Sequence, residues 1–106
     1  MNFRGGMNEM MRQAARLQRK VDEAKKKLEA QEHETTAVGG KIKVVTTLGR
    51  RVARIEVDAE FGKSESLDVI VDSITAAVNQ GLEEAGKQMD AELEKATGGV
   101  KIPGLT

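Results

Sequence analysis

Residues 41–57 read KIKVVTTLGRRVARIEV, and this stretch decides the fold. Ile42, Val44, Thr46 and Leu48 alternate with Lys41, Lys43, Val45 and Thr47, so an extended chain has one apolar and one mostly polar face. Ala53, Ile55 and Val57 alternate in the same way with Val52, Arg54 and Glu56. Gly49-Arg50 separates the two runs, and a Gly-X pair suits a tight hairpin turn. Upstream, Glu34-Thr35-Thr36-Ala37-Val38 is strand-like too and ends at Gly39-Gly40. The reading is a three-stranded antiparallel meander. Such a sheet is narrow, and its free edges invite pairing with a second copy.

On both sides the period changes to that of a helix. Met7, Met10, Ala14, Leu17, Val21, Ala24 and Leu28 step alternately by three and four, the pattern of a helical seam. This predicts a first helix over about Met7 to Gln31, capped by Asn8 or begun earlier at Asn2. Some 25 residues at 1.5 Å each span about 37 Å, more than the width of a compact domain of this size. Part of the helix must therefore project or pack on a partner. After Phe61-Gly62-Lys63, Ser64 or Ser66 caps a second long helix, with Leu67, Ile70, Val71, Ile74, Ala77, Val78, Leu82, Ala85, Met89, Leu93 and Ala96 at helical spacing. Its apolar first half is predicted to lie across the sheet. Gly98-Gly99 stops it, and Pro103 prevents its resumption. The expected fold is α+β in one domain, 1–106: a long N-terminal helix, a three-stranded antiparallel sheet and a long C-terminal helix, with 1–6 and 98–106 flexible.

Composition narrows the chemistry. With no cysteine among 106 residues, disulfides and thiolate metal sites are excluded, which fits a reducing cytoplasm. No stretch approaches the roughly 20 apolar residues of a membrane span, and the first residues lack a signal-peptide core, so no membrane partner is expected. The one histidine, His33, stands between Glu32 and Glu34 and reads as an exposed residue at a helix end. Neither Gly5-Gly6 nor Gly39-Gly40 has the frame of a phosphate-binding loop. The expectation is no enzyme, no cofactor, no metal and no small-molecule substrate.

The net charge is zero, but the charges are segregated. Residues 1–27 hold eight basic residues against three acidic ones, and residues 41–54 hold five basic residues and no acid. Residues 55–100 hold three basic residues against eleven acids. Arg12, Arg16, Arg19, Lys20 and Lys27 recur by three, four or seven and form a flank on the first helix, suited to phosphates or to a salt-bridged solvated surface. Lys41, Lys43 and Arg54 are weaker candidates, because edge lysines also block aggregation. With only Phe3 and Phe61 and no Tyr or Trp, there is no aromatic platform for unpaired bases. Any nucleic acid bound would be duplex, held mostly through its backbone. Charge alone leaves open a second reading, a dimeric adaptor whose arms bind a partner protein.

The order of features resembles the YbaB/EbfC family of bacterial nucleoid-associated proteins along essentially the whole chain. The resemblance rests on MNEMMRQAARLQRKVDEAKKKLE, then Gly39-Gly40 before KIKV, the strand end IEVD, the segment Ala76-Ala77-Val78-Asn79, and the tail Gly98-Gly99 with Ile102-Pro103-Gly104. It implies a homodimer with joined sheets and paired projecting helices around double-stranded DNA, located in the cytoplasm at the nucleoid, with a role in nucleoid organisation or gene regulation. It also implies contacts from both long helices. The cations they carry, Arg4, Arg12, Arg16, Arg19, Lys20, Lys27, Lys87 and Lys95, are then the expected DNA contacts on charge grounds. Leu17, Val21, Leu28, Val44, Ile74 and Val78 are the expected dimer interface. The chain departs from the family where Leu48-Gly49 replaces the common Asn-Gly turn, and where Gln80-Gly81 replaces Asp-Ala. Gly81 and Gly86 each cost roughly 1 kcal/mol in a helix relative to alanine, so a bend or a close helix approach is expected near Gly81.

Overall fold

The computed structural model of the chain describes residues 3–99, with the backbone alone for residues 3 and 4. The elements are α1 (Phe3–Leu28), β1 (Glu32–Ala37), β2 (Ile42–Thr47), β3 (Val52–Val57), a short α2 (Ala59–Ser64) and α3 (Leu67–Ala96). The α+β order matches the sequence reading, and α2 is an addition to it. Asp58 caps α2 by accepting from the Phe61 N–H at 3.1 Å, and the turn drives Phe61 into the core. Ser66 rather than Ser64 caps α3, accepting from the Val69 N–H at 3.3 Å. Asp68 in the first turn of α3 complements the helix dipole.

The ends of α1 differ from expectation. The helix takes in residues 3–6, expected to be flexible, and stops at Leu28, one turn before Gln31. The chain then turns, with the Gln31 N–H donating to the Leu28 carbonyl, and β1 begins at Glu32. His33 is therefore a strand residue, not a helix-end one. Gly98 and Gly99, at φ 67° and 89°, form the turn that ends α3, as the Gly pair predicts. Residues 100–106 lie outside the described residues.

The sheet has the order β1-β2-β3, antiparallel throughout. The second hairpin turns at Leu48-Gly49, the pair that stands for the family's Asn-Gly, and not at Gly49-Arg50. Arg50 N–H donates to the Thr47 carbonyl at 3.0 Å, and Thr47 N–H to the Arg51 carbonyl at 2.8 Å. This is a three-residue connection whose left-handed residue is Arg50, at φ 63°. A side chain in that conformation costs about 1–2 kcal/mol, so an arginine there stands out. Gly49 is needed for another reason: a Cβ on it would come within 2.9 Å of the Glu29 carbonyl oxygen.

The core forms where α3 crosses the sheet. Ile42, Val44, Phe61 and Ala77 form a buried cluster, with Ile70, Ile74 and Val78 packed against it. A second buried set, Val21, Leu48, Ala85 and Leu93, lies where α1 runs against α3. Burying each large aliphatic or aromatic side chain contributes about 1.5–3 kcal/mol. Helix α3 lies over β1 and β2 but barely reaches β3. The reason is visible at Gly81, where a Cβ would stand 3.1 Å from Thr35 Oγ1 and 3.2 Å from Thr46 Cγ2. Gly81 thus marks a close approach of helix and sheet, and α3 continues as one helix through it.

The molecule measures 76 × 19 × 17 Å, with a radius of gyration of 20.2 Å, against about 13 Å for a compact chain of 100 residues. Residues 5–16 of α1 are exposed throughout, including Met7, Met10 and Met11 at 63–70%. The first helix projects, as its length requires.

The close approach gives a direct test. Gly81→Val, a β-branched side chain in a space too small for it, is expected to lower stability by about 1–3 kcal/mol in urea denaturation. The intrinsic helix-propensity gain over glycine does not offset this loss.

Candidate nucleic-acid interface

Cations sort by whether they have partners. On the sheet face away from α3, Arg54 donates to both oxygens of Glu32, at 3.1 and 3.2 Å, and Lys43 pairs with Glu34 at 3.7 Å. Lys41 approaches Asp58 at 3.9 Å. The sheet cations are therefore neutralised within the fold. Val45, on this same face, is 2% exposed, so the face is less polar than its alternation suggests.

The expected contacts on α3 are also engaged. Lys87 pairs with Glu83 at 3.5 Å and Lys95 with Glu92 at 3.4 Å, each within one helical turn. These pairs are exposed and individually weak, but they stand on a helix with an acidic excess. On α1, Arg12 pairs loosely with Glu9 at 3.7 Å. Among the described residues, Arg16, Arg19, Lys20 and Lys27 make no ion pair within 4.0 Å. The same holds for Lys25, Lys26, Arg50 and Arg51, which the sequence reading passed over. The Arg4 side chain lies outside the description.

Placement on the helix adds direction. At about 100° per residue, Arg12, Arg16, Arg19 and Lys26 share the face opposite Val21 and Leu28, and Lys20 and Lys27 lie on the flank of the seam, about 100° from Val21 and Leu28 respectively. Val21 is fully buried and Leu28 half-buried, so the seam faces the protein and the cations face away from it. The basic strip runs from the side opposite the apolar seam round to one flank of it. Asp22 and Glu23 interrupt it only in part, and Asp22 accepts from Gln18 at 3.1 Å.

Of the expected interface residues, Val21 and Val44 have no surface left, both at 0% exposure within the protomer's own core. Leu17, Leu28, Ile74 and Val78 are half-buried. Exposed apolar surface appears elsewhere. Ile55 and Val57 pair in register with Val44 and Ile42, so they share the face that α3 covers, yet they remain 42% and 36% exposed. Glu84 of α3 meets β1 at His33 and Thr35, and at about 100° per residue Leu67 and Val71, 74% and 49% exposed, stand roughly 100–140° round the helix from it. Sequence periodicity places all four on apolar faces. It has no signal for which part of a face its own helix reaches.

A polar cluster fixes α3 against β1. His33 Nε2 and Glu84 Oε1 stand 3.0 Å apart, Thr35 Oγ1 donates to the same oxygen at 3.1 Å, and Gln80 donates to Glu84 Oε2 at 3.4 Å. The buried Thr46 hydroxyl lies 3.3 Å from the Gly81 carbonyl and 3.4 Å from that of His33, as donor to either. His33, read from sequence as exposed and idle, is half-buried and joins strand to helix. Hydrogen bonds from His33, Gln80 and Thr35 hold the Glu84 carboxyl below the ordinary glutamate value. A depressed carboxylate stabilises above its unfolded pKa and loses that contribution as pH falls through its folded value. Wild type is therefore expected to exceed Glu84→Gln in thermal stability at neutral pH, with the gap closing below the ordinary glutamate range. A pH-independent gap would show that the ionised carboxylate is not what matters.

Among the described residues, no group of three or more His, Asp or Glu could hold a metal ion, and no helix is long and apolar enough to cross a membrane. The model of the YbaB/EbfC DNA-binding family matches residues 3–100. A nucleoid-associated protein of Clostridium kluyveri is 35% identical over 106 residues, covering 98% of this chain and 93% of its own length. One from Myxococcus xanthus is 37% identical over 100 residues, covering 94% of this chain and 95% of its own length. The fold is similar to that of an uncharacterized Helicobacter pylori protein, HP0035, known from a crystal structure. The TM-score is 0.54 at 13% identity, over 85% of this chain and 93% of that one.

Proposed function

The chain belongs to the YbaB/EbfC DNA-binding family, and on that premise we propose that it binds double-stranded DNA as a homodimer at the bacterial nucleoid, mostly through phosphate contacts from α1. The observation that carries this is the row of unpaired cations on the α1 face turned away from the protein. Each phosphate neutralised by such a cation releases counterions, which supplies affinity without reading sequence. Helix α3 contributes less than α1, because Lys87 and Lys95 are matched by carboxylates of their own helix. Nucleoid organisation or gene regulation is the role consistent with backbone binding by a small two-armed protein.

Dimerisation is supported by the apolar strip of Ile55 and Val57 on β3 beside Leu67 and Val71 on α3, together with the free edge of β3. A second copy of the same strip would cover it, pairing two edges and sending two α1 helices outward. The interface so proposed keeps Ile74 and Val78 near its margin and leaves out Val21 and Val44. The second reading, an adaptor for a partner protein, has the exposed Met7, Met10 and Met11 in its favour.

Two measurements test this. Duplex DNA is expected to shift at 50 mM salt and to release steeply by 200 mM. Reversing Arg16, Arg19 and Lys20 to Glu should make log K against log salt shallower by about 0.9 for each phosphate no longer neutralised. Reversing Lys87 and Lys95 should change it little. A folded protein that shifts no duplex at 50 mM salt would favour the adaptor. Light scattering is expected to give a dimer, and Ile55→Asp with Leu67→Asp should yield a folded monomer with unchanged helix content.

A further inference from the structure

Two residues that are locally unfavourable turn out to fit one another. Arg50 holds a left-handed backbone that glycine would adopt freely, and Gly86 sits in the middle of α3, where alanine would be the better helix former. They meet in space. A Cβ on Gly86 would stand 3.4 Å from Arg50 Nη2, 3.8 Å from Nε and 3.9 Å from Cζ, so the guanidinium lies over the bare helix backbone. The backbone of the hairpin is itself tied down, since Leu48 and Gly49 donate to the Gln31 and Glu29 carbonyls at 2.9 and 3.1 Å. The backbone of the arginine is thus fixed, and its guanidinium lies along α3.

Its charge is not consumed there. Arg50 makes no ion pair among the described residues. It borders an open recess of about 260 Å³ at the base of the arm, together with Lys25 of α1, Glu29 of the following turn, and Met89, Asp90 and Leu93 of α3. Glu29 and Asp90 lie beyond ion-pair distance, so the guanidinium keeps donors for an external anion. Arg51 stands on the other side of the hairpin, in a recess with Glu29 and Thr47. A structural latch alone would need no cation, and an ordinary solvated arginine would not need the left-handed backbone.

We infer that Arg50 is a fixed phosphate contact for duplex DNA at the base of the helical arm, complementing the long exposed cations along α1. The planar guanidinium suits a phosphate because its fork can donate two hydrogen bonds at once. This rests on the reading that the chain binds duplex DNA, and it adds the β2–β3 hairpin to a surface otherwise made of helix.

Arg50→Gly separates the two roles, because glycine relieves the backbone while deleting the cation. The variant is expected to fold with a Tm equal to or above that of wild type, to bind duplex roughly tenfold more weakly per protomer near 0.1 M salt, and to show a salt slope shallower by about 0.9 per protomer. Lys63→Gln, which removes an unpaired cation from α2 at the opposite end of β3, is the charge control and should leave both quantities unchanged. Unchanged affinity and slope in Arg50→Gly would overturn the inference while leaving DNA binding intact. So would an equal weakening in both variants, since net charge alone would then account for it. A Tm lowered by several degrees, or a variant that does not fold, would make Arg50 a structural latch and overturn it as well. Wild type that binds no duplex would instead remove the functional reading beneath it.

Discussion

The contact of α3 with the sheet at Gly81 governs the rest of the molecule. A Cβ at Gly81 would crowd Thr35 and Thr46 at 3.1 and 3.2 Å, so glycine favours this close approach, and the Thr46 hydroxyl lies within reach of the Gly81 carbonyl. Glu84, one turn further on, reaches His33 and Thr35 from the same approach. The helix is thereby drawn over β1 and β2 and away from β3. Ile55 and Val57 stay uncovered as a direct consequence, although their register with Val44 and Ile42 puts them on the apolar side of the sheet. One steric allowance, repeated by a small polar network, creates both the rigid joint and the open strip beside it.

The second constraint is length. A helix of 26 residues spans about 39 Å, and its partner α3 covers only the C-terminal part of it. The uncovered half cannot be absorbed by a domain of this size, so it becomes an arm. Charge follows from the same geometry. The seam side of α1 is fixed by Val21 and Leu28, which forces the cations at the opposite angle outward. Elsewhere, acids arrive at pairing distance: Glu32 and Glu34 reach across the sheet to Arg54 and Lys43, and Glu83 and Glu92 reach along α3 to Lys87 and Lys95. An acidic excess in the second half of the chain therefore coexists with an unneutralised strip in the first.

Much of this was legible in the chain. Alternation of two and of three to four residues located the strands and long helices, because side-chain direction repeats with backbone geometry. Cap and turn residues set most ends within a few positions. The misreadings cluster where a tertiary contact outweighed local preference. Leu28 ends α1 early because the next residues are needed to meet the hairpin, with Glu29 and Gln31 accepting from Gly49 and Leu48. His33 follows into the strand and meets Glu84, 51 positions away, a pairing no local spacing announces. Arg50, not Gly49, is the left-handed residue because the hairpin leans on the turn between α1 and β1 at Glu29 and lies along α3 at Gly86.

By itself, the sequence determined the α+β element order, the seam on each long helix, the lack of thiol chemistry and the segregation of charge. These depend on residue type and spacing along one backbone, which periodicity reports directly. Which cations keep a free charge, which half of the apolar sheet face stays open, and how closely α3 approaches the sheet at Gly81 were settled by tertiary structure alone. Those outcomes depend on distances between segments tens of residues apart. Ion pairing, steric fit and burial are properties of such distances and not of the order in which residues occur.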